Sequence, residues 1–183
     1  MFSKDVVIDC GANIGDLEIF FKQKELDINY IAIEPSPEEF KCLKNNLILR
    51  DSKAYNFALF DKNDSLKFYI SSNYGDSSIF EPVTYTHEKK ILTRRFDHFY
   101  EELGLKNIKL LKLEAEGAEP EILTGCGKYL QNIEYISADL GFERGLKQDT
   151  TLPEVSNILI REGFKMISLN GQRLVALFKN KRY

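Results

Sequence analysis

Short apolar runs alternate with amphipathic stretches along nearly the whole sequence, and this alternation restricts the fold more than any other feature. Val6-Val7-Ile8 is a β-branched run that stops at Asp9 and Gly11, as a buried strand running into a turn does. Leu17, Ile19, Phe20 and Phe21 then carry helical spacing, predicting a helix over residues 13–25. Tyr30-Ile31-Ala32-Ile33 reads as a second strand, closed by Glu34-Pro35. Ser36-Pro37-Glu38-Glu39 opens another helix, with a serine at the cap, a proline in the first turn and two acids against the positive end of the helix dipole. Phe40, Leu43, Leu47 and Ile48 form its apolar face. A third strand is predicted near residues 55–59, a fourth at 108–113 and a fifth at 135–140, with helices at 96–103, 120–130 and 152–162. Two closing strands, 164–169 and 174–178, flank Asn170-Gly171, a hairpin turn. Such a pattern predicts an α/β fold with a doubly wound, mostly parallel sheet whose last strand is antiparallel. Residues 64–93 break the alternation, with extended stretches around the loop-like Gly75-Asp76-Ser77-Ser78, and are predicted to be a hairpin insertion.

A chain of 183 residues fits one domain. Its 25 cations against 28 acids leave a charge of −3 and no basic stripe, so no nucleic-acid partner is expected. The three cysteines are an odd number without a C-x-x-C pair, which suits reduced thiols and a cytoplasmic setting. No signal peptide is expected from the first residues, and no apolar run approaches the ~20 residues of a membrane span.

In a doubly wound sheet, ligands sit beyond the carboxyl ends of the strands, near the switch point. Asp9-Cys10-Gly11-Ala12-Asn13-Ile14-Gly15 lies at such an end, where glycines let the backbone turn and approach a ligand. Glu34 closes the second strand, where an acid can accept hydrogen bonds from ribose hydroxyls. The pair points to an adenosine-type ligand. A dinucleotide fingerprint needs glycines where this chain has Asn13 and, at the third position, Asp16. Asp9 and Asp16 would also oppose a pyrophosphate at the helix N-terminus. A cationic sulfonium suits the loop better, which favours S-adenosylmethionine over NAD. Two rival readings are an NAD-dependent oxidoreductase on a related fold and a non-catalytic binding module.

The sequence resembles the FkbM-type S-adenosylmethionine-dependent methyltransferases. The matching segments are residues 6–15, Ala32-Ile33-Glu34-Pro35, Phe96-Asp97, and Leu111-Lys112-Leu113-Glu114-Ala115-Glu116-Gly117-Ala118-Glu119, the last being the most specific. The resemblance covers roughly residues 6–178. It implies the class I methyltransferase fold: a Rossmann-like three-layer sandwich around a seven-stranded sheet with an antiparallel last strand. It also implies O-methylation, often of sugars in glycans, glycolipids or secondary metabolites. In one departure, Glu114 stands where the family usually has Asp, placing the carboxylate one methylene further out.

Within that frame, Asp9, Gly11, Ala12, Asn13, Gly15, Glu34, Ser36, Ala58 and Glu114 are the expected donor-binding residues, with the adenine near Phe57 and Ala58. A hydroxyl acceptor must lose a proton, so a base within hydrogen-bond reach is expected. Lys112, Glu114 and Glu116 alternate, which predicts one shared face. Glu116 is the first candidate base, and Glu114 is expected at the methionine end of the donor. A purely structural ion network of Lys112, Glu114 and Glu116 is the alternative. Asp139 ends the fifth strand, and the following Gly141-Phe142-Glu143-Arg144-Gly145 suits sugar binding or, more simply, holds a local Glu143–Arg144 pair. His87, in the insertion, is a further candidate base, and His98, beside Asp97 in a helix, reads as structural. Ser77 and Ser78 could touch a ligand or cap a turn. The acids could take a divalent metal, but no ligand spacing marks one, so no residue is assigned to metal. The expected acceptor is a sugar or glycoconjugate, and a fused or associated glycosyltransferase is an expected partner.

Overall fold

A computed structural model describes residues 4–49, 51–71 and 76–183. Gly75 of the insertion loop lies outside them. In chain order the elements are β1 (Asp5–Cys10), α1 (Asp16–Gln23), β2 (Ile28–Ile33), α2 (Pro37–Asn46), β3 (Lys53–Tyr55), β4 (Ala58–Phe60), β5 (Asp64–Ile70) and β6 (His87–Arg95). They continue as α3 (Phe96–Glu102), β7 (Ile108–Leu113), α4 (Glu119–Cys126), a 3-10 turn (Gly127–Asn132) and β8 (Ile133–Asp139). The last are β9 (Phe142–Arg144), β10 (Asp149–Thr150), α5 (Leu152–Arg161), β11 (Phe164–Asn170) and β12 (Val175–Asn180).

The main sheet has seven strands in the order β11-β12-β8-β7-β1-β2-β3. β1 pairs in parallel with both β2 and β7, β2 with β3, and β7 with β8. β12 runs antiparallel to both its neighbours, β8 and β11. The chain first winds outward from β1 to β3 and later returns to the other side of β1 with β7. The crevice at the carboxyl ends of β1 and β7 is therefore the switch point.

Alternation along each strand divides the core. Ile8, Ile31, Ile33 and Leu111 face Phe96, Phe99, Ile122, Leu123, Val155 and Leu159 from α3, α4 and α5. Val7, Ile28, Tyr30 and Ala32 face the other way, onto Phe21 of α1 and Leu43 of α2. The sheet is covered on both faces, which is why its central strands read as continuous apolar runs.

Several boundaries differ from those predicted. α1 begins at Asp16, not near 13, because Asn13 takes φ 47° and keeps the loop out of the helical region. The strand expected at 55–59 is two strands. β3 stays beside β2, while β4 leaves to pair in parallel with β6, forming a separate sheet of order β4-β6-β5. The break comes where Asn56 turns its side-chain amide onto the carbonyls of Glu34 and Pro35, past the end of β2. The predicted helix at 120–130 tightens after Cys126 into the 3-10 turn. The insertion is the expected hairpin, with β5 and β6 antiparallel from Asp64 opposite Thr93 to Ile70 opposite His87. Residues 141–151, read as loop, contain the short β9–β10 ribbon.

Candidate active site

The loop after β1 is pinned to the end of β2 by one carboxylate. Glu34 Oε2 accepts from the Asn13 backbone N–H at 2.8 Å, and Oε1 accepts from that of Ser36 at 2.8 Å. Burial pushes the Glu34 carboxyl up to about 7, against the pull of those two N–H groups. Gly11 presses on the end of β7: a Cβ there would collide with the Glu114 carbonyl oxygen. Only a residue without a side chain permits that approach.

Behind the loop lies a charged tie. Asp9 is 1% exposed and accepts from the Tyr30 hydroxyl and from Lys112 Nζ at 2.9 Å. Lys112 also pairs with Glu114 Oε2 at 2.6 Å and donates to the Gly11 carbonyl at 3.3 Å. Burial works against the ammonium, but Asp9 and Glu114 outweigh it and hold its pKa above the ordinary lysine range. Glu114 in turn lies 3.7 Å from Arg173 Nη2, which also reaches Asp139 Oδ2 at 3.1 Å.

Glu116 does not continue the strand face of Lys112 and Glu114. β7 ends at Leu113, and Glu116 sits at φ 51° followed by Gly117 at φ 96°, so two successive left-handed residues swing it off the strand. The buried Glu119 carboxylate holds this turn, accepting from the N–H groups of Ala115 and Gly117 and from the Thr151 hydroxyl. Ser78 of the insertion, 1% exposed, donates its hydroxyl to the Glu116 carbonyl at 2.8 Å. The Glu116 carboxyl is pushed up to about 9, first by burial and then by Glu143, Asp76, Glu119 and Glu114. Glu143 is pushed up to about 7 by burial and by Asp139, Glu119, Glu114 and Asp76. The expected Glu143–Arg144 pair does not form: Arg144 forks onto Glu121, while Glu143 faces the cavity.

These parts enclose a cavity of about 240 Å³. Of the candidate residues, Gly11, Asn13, Glu34, Ser36, Ala58, Glu114, Glu116 and Ser77 line it. Asp9, Ala12, Gly15, Asp139, Phe57 and Ser78 are not in its wall. Asp9 and Ser78 are turned inward to Lys112 and the Glu116 carbonyl, Asp139 is held by Arg173 and the Gly141 N–H, and Phe57 packs on Phe99. His87 stays outside as well: it is exposed at the start of β6, with Nδ1 3.0 Å from the Thr86 hydroxyl. His98 meets the Asn63 amide at 2.7 Å on α3, away from the cavity. Among the described residues, no His, Cys, Asp or Glu side chains converge as a metal site requires. The wall also holds Asp16, Glu39, Asp76 and Arg173, for which the sequence predicts no ligand role, and Glu143 of the segment expected to suit sugar binding. Arg173, from the turn between β11 and β12, is the one cation in the wall among the described residues.

The acid-rich wall and the glycine loop suit a cationic, adenosine-bearing donor. Comparison with known proteins agrees with the fold. The sequence matches the methyltransferase FkbM domain over residues 9–166. It is 26% identical over 148 residues to the 2-O-methyltransferase NoeI of Sinorhizobium fredii, covering 72% of this chain and 61% of that protein. The chain spans about three fifths of the length of the curated relatives it matches. Among solved structures, precorrin-6y C5,15-methyltransferase of Geobacter metallireducens superposes with a TM-score of 0.54 at 10% identity, covering 99% of this chain and 83% of that one. A putative tRNA (m1A22) methyltransferase of Streptococcus pneumoniae, in complex with S-adenosyl-L-methionine, gives 0.51 at 11% identity over 97% and 67%. No helix among the described residues is long and apolar enough to cross a membrane. With its class I methyltransferase sheet and a family match over most of its length, the chain belongs to the FkbM methyltransferase domain family.

Proposed function

We propose that the chain transfers the methyl group of S-adenosylmethionine to a hydroxyl oxygen, and that this hydroxyl belongs to a sugar of a glycan or glycoconjugate. The observation that carries the reading is the composition of one cavity wall: the Glu34-pinned loop at one end, the raised Glu116 carboxyl at the other, and carboxylates in excess between them. The relative named a 2-O-methyltransferase supports oxygen as the acceptor atom.

When bound, S-adenosylmethionine supplies a methyl on a sulfonium, an excellent leaving group, so the protein's task is mostly positioning. Glu34 accepts from the ribose hydroxyls while keeping the Asn13 and Ser36 N–H groups. Glu114, tied to Lys112, faces the donor's ammonium. Glu116 takes the acceptor's proton as the oxygen–carbon bond forms and the sulfur–carbon bond breaks. Burial and its acid neighbours favour the protonated Glu116 carboxyl; a neighbouring positive charge favours the carboxylate, so a bound donor would let Glu116 act as a base. Glu143 and Arg173 of the wall, with the exposed Phe142 beside Glu143 in sequence, are the proposed acceptor contacts.

The test is transfer of labelled methyl from S-adenosylmethionine across a panel of glycans, with protein and nucleic acid as controls. Label in a base-stable ether on a sugar supports the reading. Label only on protein or nucleic acid ends the sugar assignment. A thermal shift with NAD but none with S-adenosylhomocysteine ends the methyltransferase assignment.

A further inference from the structure

Arg144 takes no part in the chemistry above, yet it touches the Glu116 turn, α4 and the insertion. Its Nη1 and Nη2 fork onto the Glu121 carboxylate of α4 at 2.9 and 2.6 Å. Nη1 also donates to the carbonyl of Gly117. The guanidinium stacks on the Phe80 ring of the insertion, 3.9 Å from its centroid. Backbone packing matches these contacts: a Cβ on Gly117 would come within 2.8 Å of Arg144 Cα, so β9 lies directly against the turn.

We propose that Arg144 is a positioning residue for methyl transfer, a clamp that holds the Glu116 turn, the insertion and β9 in one arrangement. The left-handed backbone of a non-glycine residue such as Glu116 is strained and persists only where its surroundings over-determine it. Here both carbonyls of the turn are occupied from outside, Glu116 by Ser78 and Gly117 by Arg144. The insertion supplies Ser78 directly and reaches Arg144 through Phe80, so the two fastenings share one support. A lysine could not replace this arginine, since one ammonium cannot fork onto a carboxylate, cap a carbonyl and lie flat on a ring together. The inference rests on Glu116 being the base, but its geometric content is testable without turnover.

The test follows Arg144→Gln, Arg144→Lys and Glu121→Gln in the full chain by amide hydrogen exchange, by ¹³C titration of the Glu116 carboxyl, and by S-adenosylhomocysteine binding. The carboxylates facing Glu116 are Glu143 from β9, Asp76 from the insertion, Glu119 from α4 and Glu114 from the end of β7. With Arg144→Gln, exchange at Gly117 and Phe80 rises about tenfold, the size expected for loss of one charge-assisted hydrogen bond. The Glu116 midpoint falls toward the ordinary carboxyl range as the turn loosens and admits water. Arg144→Lys gives the same two changes at reduced size. Binding of S-adenosylhomocysteine stays within about threefold, since Arg144 does not touch the β1 loop. Removing a cation by itself would move the Glu116 midpoint up. An upward or absent shift with unchanged exchange therefore overturns the proposal and leaves Arg144 a partner of Glu121 only. If Arg144→Gln does not fold, Arg144→Lys decides by exchange and titration, because it keeps the cation and loses the fork, and Glu121→Gln is read by exchange alone, since loss of its carboxylate lowers the Glu116 midpoint by charge. Failure of S-adenosylhomocysteine to bind the unaltered chain would refute the methyl-transfer reading instead and leave the clamp measurements standing.

Discussion

The two ends of the cavity are built by different means. The β1–β2 end is backbone: a loop turned by Asn13, pressed on β7 at Gly11, and pinned by a single carboxylate through two N–H groups. The Glu116 end is side chains from separated parts of the sequence: Ser78, Phe80, Glu119, Glu143 and Arg144. The first end depends on few residue types, which in the proposed function suits a feature that all donors of one kind share. The second depends on contacts that a few substitutions would rearrange, which suits a surface facing a variable acceptor.

The sharpest way to break that contrast is Glu116→Gln. Loss of a general base lowers kcat by roughly 100-fold or more, while S-adenosylhomocysteine affinity is little changed. Full turnover would remove Glu116 from its role. Glu34→Gln should do the opposite, weakening S-adenosylhomocysteine binding by about tenfold or more in calorimetry, as expected for loss of charged hydrogen bonds. An unchanged Kd would mean that the β2 end does not hold the donor. Gly11→Ala tests the backbone itself: with φ at 77° and the Glu114 carbonyl in the way, the fold should lose at least ~1–3 kcal/mol, read as a lower melting temperature. A further effect concerns pH. Glu34 and Glu116 titrate in the folded state at about 7 and about 9, above their unfolded range. Between the unfolded and folded values the native state holds more protons, so stability falls as pH rises from about 5 toward 9. Glu116→Gln should flatten the upper part of that slope, and a slope unchanged by the substitution would place the titration elsewhere. The smallest effect is expected of His87→Ala, because His87 is exposed outside the cavity: rate and donor affinity should both stay put.

Much of this architecture was legible in the sequence for a local reason. Val6-Val7-Ile8, Tyr30-Ile31-Ala32-Ile33 and residues 108–113 are strands buried on both faces, and such runs are hard to mistake. The glycine loop and Glu34 were legible because they follow those strands directly. What stayed hidden depends on distant partners. Nothing local to Asn56 says that its amide will cap β2 and send β4 into another sheet. Nothing local to Arg144 points to Glu121, and its neighbour Glu143 was the natural guess. Arg173 falls in the connection between the two closing strands, and only the placement of β12 beside β8 carries it to Asp139 and Glu114. Glu119 did leave a trace: an acid four residues after Ala115, in the first turn of a helix, is well placed to accept the free N–H groups of the turn before it.

The β5–β6 ladder ends where Ile70 faces His87, and Thr86 closes it with its N–H and hydroxyl on the Ile70 carbonyl. Of the residues between those two, the described ones at 76–86 return to this stem, with Ser78 bridged to Tyr69 of β5. For protein engineering this makes a cassette: residues 71–86 can be exchanged between relatives at fixed endpoints without cutting any strand of the main sheet. A graft that carries its own equivalents of Ser78 and Phe80 would keep the fastening to the Glu116 turn, while the rest of the segment is drawn from relatives.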